Sequence, residues 1–185
     1  MHIVKGTNGY IRRKKRMQLL ITLVILFVSI GLFVAGYLTT KSTKNLLTVF
    51  AVLGALPGAK SLVNLILFLP YKSFDADSYR ELEDKSSEKA LLYSDLVFTS
   101  SKHIMHLDAL YVCGKELVAL ALNAKEKNQE DIIPYFTDSL KKRGVTVHMH
   151  IFHSVQEFGD RISSLTDRDE EIPGEITEFI RMILV

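Results

Sequence analysis

Two long apolar runs near the start of the chain constrain its fold more than any other feature of the sequence. Residues 18–40 contain no charged side chain, and residues 46–69 follow after a five-residue connection. A helix over the first run would be roughly 35 Å long, which is enough to cross the hydrocarbon core of a bilayer. The pattern therefore predicts a two-helix transmembrane hairpin over residues 18–70. A cleaved signal peptide is the alternative, but its apolar core is shorter and no second span follows it.

The distribution of Lys and Arg predicts how this hairpin is oriented. Residues 1–17 form a basic arm with six cationic and no acidic side chains, whereas the connection contains only Lys41 and Lys44. Because Lys and Arg remain on the cytoplasmic side, we expect a multi-pass protein of the cell membrane with both termini in the cytoplasm. The arm would lie along the lipid headgroups of the bilayer, although a plain topology signal is the simpler explanation of its charge.

Polar residues inside the second run are candidate functional residues within the membrane. Lys60 falls near the middle of a straight helix, where a lysine costs roughly 3 kcal/mol on insertion scales, and Asn64 lies one turn further on the same face. Pro57 and Gly58 precede them and predict a kink or a break in the helix. This face could bind a partner protein. Alternatively, the two spans pack on each other and Lys60 extends toward the headgroups.

Small residues in both runs predict surfaces for helix packing. Gly54 and Gly58 form a small-xxx-small pair in the second run, and Gly31 with Ala35 offers a similar surface in the first. Small residues let two helix backbones approach closely within a membrane. We therefore expect these surfaces to mediate contacts with a protein partner, with another copy of the chain or between the two spans.

Residues 71–185 predict a single cytosolic α/β domain, since about 115 residues are enough for one hydrophobic core. Hydrophobic periodicity and turn residues predict a helix at 75–93, strands at 96–100, 109–112 and 117–122, a helix at 130–143, a strand at 145–152, and helices beginning at 154 and 173. The element order is α-β-β-β-α-β-α-α. Because a helix separates the third and fourth strands, those strands can run parallel, which makes a mixed four-stranded sheet.

The segment HLDALYVCGKELVALALNAK, followed by a helix and a strand, resembles the nuclease-related domain of the PD-(D/E)xK superfamily. The resemblance covers residues 77–153, whose element order matches the core of that family. In the family, an Asp begins the second core strand and an acidic-x-Lys motif closes the third. Asp108 and Lys125 stand at two of these positions, whereas Asn123 stands where the motif has a carboxylate.

The resemblance implies phosphodiester hydrolysis with a divalent metal, and the departure at Asn123 bears directly on that chemistry. Two carboxylates hold the cation that activates water, and the lysine polarises the attacked phosphate. An amide oxygen brings no charge to such a site. The family's additional helix carboxylate corresponds to either Glu81 or Glu88. We therefore expect a degenerate catalytic site even if the fold is the same, because fold and function are separable.

The charge of the cytosolic region argues against nucleic acid as a partner. Residues 71–185 contain fourteen Lys and Arg side chains and all twenty-one Asp and Glu side chains of the protein, which gives a net charge of −7. Phosphate contacts dominate nucleic-acid affinity and require a cationic surface. The only basic cluster, Lys141 to Arg143, is explained by its position at the end of a predicted helix.

Two histidines form a candidate metal site. His148 and His150 alternate on one face of the predicted fourth strand, and imidazoles at this spacing can share a metal ion. Further ligands could come from His103, His106 or Asp108. No CxxC or HExxH spacing supports the site. The alternative is a half-exposed strand face that tolerates polar residues.

Two functions fit the sequence. The favoured one is a membrane-anchored cytosolic interaction or scaffold domain without catalysis or cofactor, which binds a protein partner or another copy through the hairpin. The alternative is a membrane-tethered, metal-dependent nuclease or phosphodiesterase that uses Asp108 and Lys125. The single cysteine, Cys113, cannot form an internal disulfide, in agreement with a reducing compartment.

Overall fold

The computed structural model describes residues 6–99, 104–122, 131–166 and 170–184. The chain divides into two compact units. Residues 11–72 form a helical unit. Residues 73–185, together with the first ten residues of the chain, form an α/β unit.

The helical unit consists of two helices, α1 (Tyr10–Thr40) and α2 (Leu46–Phe68). Both are long and apolar enough to cross a membrane, with mean hydropathies of 2.8 and 1.8 in their most apolar windows. Helix α1 also includes residues 12–16 of the basic arm as its first turns. The predicted break at Pro57 does not occur, because α2 continues through this position. Asn45 begins α2, since its Oδ1 accepts a hydrogen bond from the Thr48 N–H at 2.8 Å.

The two helices pack through small residues of α2. A Cβ atom at Gly54 would lie 3.3 Å from the Ser29 hydroxyl, and one at Gly58 would lie 2.9 Å from the Ile25 Cγ2 atom. The predicted small-residue surface of α2 is therefore used against α1. The surface predicted around Gly31 does not take part, because no described atom lies within 4 Å of a Cβ at that position.

Polar contacts join the N-terminal half of α1 to the C-terminal half of α2. The Ser61 hydroxyl donates to Gln18 Oε1 at 2.6 Å. Lys15 Nζ donates to the carbonyls of Leu69 at 2.8 Å and Tyr71 at 2.6 Å, at the end of α2. A lysine is favourable there because it satisfies free carbonyls at the negative end of the helix dipole. The helices are therefore antiparallel, and the basic start of α1 lies beside the end of α2.

We expect Gly58→Leu to separate the two helices, because the larger side chain has no room beside Ile25. Overpacking of this kind costs about 1–3 kcal/mol, which lowers the ratio of closed to open pairs by about five- to 150-fold. The rate of disulfide formation between cysteines introduced at Gln18 and Ser61, in a Cys113→Ser background in detergent micelles, measures the closed pair. Gly31→Leu is the matched control and should leave the rate unchanged. Equal rates in both variants would contradict the observed packing.

The α/β unit contains a four-stranded sheet and four helices. Its elements are α3 (Ala76–Asp84), β1 (Leu91–Thr99), β2 (Ile104–Cys113), β3 (Glu116–Leu120), α4 (Ile132–Lys141), β4 (His148–Phe152), α5 (Val155–Leu165) and α6 (Gly174–Ile183). The strands lie in the order β1-β2-β3-β4. Neighbouring strands are antiparallel except β3 and β4, which are parallel. The predicted element order and the mixed sheet agree with the structure.

Helices cover both faces of the sheet, so that it has two hydrophobic cores. On one face, side chains of all four strands pack against the apolar stripes of α4 and α6. On the other face, side chains of the sheet pack against α3 and α5. Amphipathic helices bury their apolar stripes in this way on a sheet that is apolar on both sides. The central strands β2 and β3 are consequently almost completely buried.

Several element boundaries differ from those predicted. Helix α3, which was predicted at 75–93, ends at Asp84, and residues 91–93 belong to β1. The alternation of Leu92 and Tyr93 between the two cores explains this, since strand pairing overrides the charged helical pattern before it. Strand β2 begins at Ile104, earlier than predicted, and β4 begins only at His148. Residue 100, where a strand was predicted to end, and residue 130, where a helix was predicted to begin, lie outside the described residues.

The two edges of the sheet differ in what lies beside them. At the β1 edge, the Ser94 N–H donates to the Gly6 carbonyl at 3.0 Å, and Phe98 forms a bridge with Leu184. Residues that precede α1 therefore contribute to the α/β unit. At the β4 edge, no strand of the described residues pairs with the outer side.

Candidate functional site

Asp108 lies in the middle of β2, where the alternation of side chains shifts by one residue. Leu107 and Leu110 belong to the same core, although residues three apart on a regular strand face opposite sides. Strand β1 has a similar irregularity at Asp95, a fully buried residue with a φ of 55°. Asp is among the few residues other than glycine that adopt this conformation readily. The register places Asp95 and Asp108 at the same level of the two strands, between the paired positions Ser94–Ala109 and Leu96–Leu107.

Each carboxylate accepts a hydrogen bond from a backbone N–H outside the strands. Asp95 Oδ1 accepts from the Phe74 N–H at 2.8 Å, just before α3. Asp108 Oδ2 accepts from the Leu122 N–H at 2.8 Å, just after β3. Hydrogen bonds to charged groups contribute about 1.5–3 kcal/mol each. Both carboxylates therefore hold the chain in place where it enters or leaves the sheet.

His106 lies two residues before Asp108 and is also buried. Burial lowers the pKa of His106 to about 4, although the nearby charge of Asp95 acts in the opposite direction. Burial likewise raises the pKa of Asp108, and the hydrogen bond from Leu122 partly offsets this effect. At neutral pH His106 is therefore uncharged. It does not supply a positive charge to balance the carboxylates.

Asp95 is the residue of this cluster that the sequence analysis did not identify. The sequence feature that points to Asp95 is the polar pair Ser94-Asp95 in the middle of an otherwise apolar run. That pair could be connected to Asp108 only through the register of β1 and β2, which the sequence does not specify.

The other predicted catalytic residues are not assembled within the described part of the chain. Asn123 and Lys125 lie outside the described residues, although Leu122 directly precedes them. Glu81 is exposed and binds Lys85 Nζ through its Oε1 at 2.8 Å. Glu88 is exposed between α3 and β1.

The histidines of β4 are exposed on one face of the strand, as the alternation predicted. Among residues 6–99, 104–122, 131–166 and 170–184, no group of three or more His, Cys, Asp or Glu side chains is arranged to hold a metal ion. Asp108 lies two strands and three residues away from His150, about 14 Å by strand geometry. Neither Asp108 nor His106, which is further along β2, is near enough to complete a site with His150. His103 lies outside the described residues.

Lys60 lies on the outer surface of α2, whereas its neighbour Ser61 is buried against α1. The contact between Gly54 and Ser29 places the middle of the first apolar run beside Gly54. Lys60 is therefore six residues, about 9 Å of helix, away from the middle and toward the basic end of α1. The depth of Lys60 in a bilayer stays a prediction. Asn64 is half-buried, one turn closer to that end.

Comparisons of the chain with protein-family models, with curated proteins and with solved structures found no match. The resemblance to the nuclease-related domain therefore stays a prediction. The contacts described above are the basis for any functional proposal.

The low pKa of His106 predicts that acid destabilises the α/β unit. The unfolded chain binds a proton on this histidine below pH 6.5, whereas the folded chain does so only near pH 4. Stability present at pH 7.5 is thus lost as the pH falls, by about 2 kcal/mol at pH 5. We expect His106→Gln to remove this part of the pH dependence, as measured by urea unfolding of the full chain in micelles at both pH values.

The raised pKa of Asp108 stabilises the folded chain as the pH falls, which is the opposite of the effect of His106. This contribution is present both in the unmodified chain and in His106→Gln. Its contribution therefore cancels when His106→Gln is compared with the unmodified chain. His153→Gln is the matched control and should keep the original pH dependence. If His106→Gln also keeps it, the burial of a neutral imidazole is not the cause.

Proposed function

We propose that this chain is a membrane-anchored protein whose α/β domain binds a protein partner at the cytoplasmic face and performs no catalysis. The observation that carries the proposal is the exposure of the helical pair. Only 6% of the most apolar window of α1 and 11% of that of α2 are buried. Of the 27 exposed large hydrophobic residues in the described part of the chain, 22 are on these two helices.

A lipid bilayer accounts for this exposure better than water does. Soluble proteins rarely expose continuous apolar surface larger than a few hundred Å². The core helix of a soluble protein would bury most of its apolar window. A cleaved signal peptide would act alone, whereas α1 packs against α2 through Gly54 and Gly58 and shares polar contacts with its end.

Charge supports an orientation with both ends of the helical pair in the cytoplasm. The basic first turns of α1 lie beside the end of α2, where Lys15 binds the carbonyls of Leu69 and Tyr71. Cationic residues are retained on the cytoplasmic side. Lys60 is displaced toward this same end, so its flexible side chain can extend to the cytoplasmic headgroups. Its position thus favours contact with lipid over a role in a polar pathway.

The α/β domain is better suited to interaction than to catalysis. The carboxylates of Asp95 and Asp108 are buried and bound to backbone N–H groups. Asn123 brings no charge to the position where the nuclease motif requires a carboxylate. The net charge of −7 over residues 71–185 favours a protein partner over nucleic acid.

The membrane part of the proposal predicts that the chain stays in the membrane pellet after alkaline carbonate extraction, because its apolar helices are surrounded by lipid. Cysteine introduced at Ser42, in the connection between the helices, should react with an impermeant maleimide added to intact cells. Cysteine at Lys142 should react only after permeabilisation. The buried Cys113 serves as the unreactive background. Release by carbonate, or labelling of Lys142→Cys in intact cells, would contradict the anchor or its orientation.

A second candidate function, metal-dependent phosphodiester hydrolysis, is favoured by one contact. The Asp108 carboxylate binds the N–H of Leu122, which places it directly beside the chain that continues to Asn123. Asp95 lies at the same level of β1 and is a second carboxylate. The nuclease resemblance implies such a meeting of the second and third strands.

We expect the full chain to leave DNA and RNA intact in the presence of Mg²⁺ or Mn²⁺. Any cleavage that Asp108→Asn abolishes would favour the second function instead. Asp108→Asn removes the charge at position 108 while its amide oxygen can still accept the hydrogen bond from the Leu122 N–H. Asp108→Ala leaves that N–H without its acceptor and should lower the free energy of unfolding by about 1–3 kcal/mol. Urea unfolding of both variants verifies that the assay compares folded proteins.

A further inference from the structure

Strand β4 presents backbone groups that are directed away from the sheet. The His148 N–H donates to the Lys115 carbonyl, and the Phe152 carbonyl accepts from the Ala121 N–H. The even-numbered residues of β4 therefore direct their N–H and C=O groups toward β3. By the alternation of a strand, Met149 and Ile151 direct theirs outward. This row of donors and acceptors is where a further strand can pair.

The side chains of this edge offer nothing to prevent such pairing. Residues 147–153 contain three histidines and four apolar residues, and no Lys, Arg, Asp, Glu or Pro. Proteins usually protect an open edge with charged side chains, with proline or with a bulge. The opposite edge is different, since Gly6 and Leu184 lie along β1.

A second copy of the chain fits the β4 edge in one register particularly well. If two β4 strands pair antiparallel with Met149 opposite Met149 of the second copy, their outward groups form a hydrogen-bonded pair. His148 then lies opposite His150 of the second copy in a non-hydrogen-bonded pair, and the reverse pair is equivalent by symmetry. Side chains approach most closely in such pairs, with Cβ atoms about 4.5–5.5 Å apart.

This register brings four imidazoles together on one exposed face of a continuous sheet. His148 and His150 are both exposed and lie on the same face of β4. Within one copy they supply two ligands, and the described residues provide no third. Zn²⁺ prefers four ligands in a tetrahedral arrangement, and imidazole nitrogen is among its usual ligands. The site is therefore incomplete in one copy and complete in two.

We propose that two copies of this chain pair along β4 and bind one Zn²⁺ ion through His148 and His150 of each copy. The proposal rests on the interaction function proposed above and names the second copy as the partner. A pair of five-residue strands is marginal by itself, so metal binding supplies much of the stability. Anchoring in a membrane favours the pairing further, because it confines the copies to one surface and raises their effective concentration.

The experiment measures the mass and the zinc content of the full chain in detergent micelles. With Zn²⁺ we expect a dimer that contains one ion for every two chains, and with EDTA we expect the monomer. His148→Gln and His150→Gln should each abolish the zinc-dependent dimer, because a site with two imidazoles remains. His153→Gln is the matched control, since this histidine lies beyond the strand and binds the Ala121 carbonyl through Nδ1. It should dimerise as the unmodified chain does.

The register of the pairing is tested by the distance between spin labels in the dimer. Thr146 is exposed and lies three residues before Met149. In the proposed register Thr146 lies level with Phe152 of the second copy, so six residues of extended chain, about 20 Å, separate the Cα atoms of the two Thr146 residues. A label on Thr146→Cys in a Cys113→Ser background should show this distance only when Zn²⁺ is present, after allowance for the label.

Three results would overturn the proposal. They are a chain that stays monomeric with Zn²⁺, a dimer that persists in EDTA, and a zinc-dependent dimer that forms equally in His150→Gln. Carbonate extraction of the same variants keeps this outcome distinct from the membrane proposal. A variant that stays in the membrane pellet but does not dimerise argues against the β4 site alone.

Discussion

The close contact between α1 and α2 determines which side chains of the helical unit lie between the helices and which lie on the outside. Gly54 and Gly58 bring the two backbones together, and the polar side chains of Gln18 and Ser61 are satisfied within the pair. The large apolar side chains are consequently left on the outside. A pair with small and polar residues in the interior and apolar side chains outside agrees with the membrane anchor proposed above.

In the α/β unit, two acidic side chains are buried within the sheet. Asp95 and Asp108 lie at the same level of β1 and β2, where both strands shift their alternation, and each carboxylate accepts a hydrogen bond from a backbone N–H. Burying two carboxylates lowers the stability of the fold unless their oxygens accept hydrogen bonds. The proposed absence of catalysis follows from the structural use of these carboxylates, whereas the predicted pH dependence of folding comes from His106, two residues before Asp108.

Most of the architecture was readable from local patterns, and the errors arose where distant residues decide the structure. The uncharged run at 18–40 predicted α1, and the apolar stripe of α4 predicted a helix that lets β3 and β4 run parallel. The helix expected to reach residue 93 ended early because residues 91–93 pair with β2, which no local signal reveals. Likewise, the level of Lys60 along α1 depends on the register of the two helices, which neither apolar run shows by itself. Asp95 was missed because its importance comes only from Asp108, at the same level of the neighbouring strand.

The way in which β1 holds two separate parts of the chain has a consequence for shorter fragments of it. Gly6, four residues before α1, binds Ser94, and Phe74, six residues after α2, binds the adjacent Asp95. Asn8 also donates to the Phe74 carbonyl, so a hydrogen bond joins the segment before α1 to the segment after α2. The segments on both sides of the helical pair are therefore held at neighbouring residues of β1. A fragment that begins at residue 73 would lack two of these contacts, those made by Gly6 and Asn8.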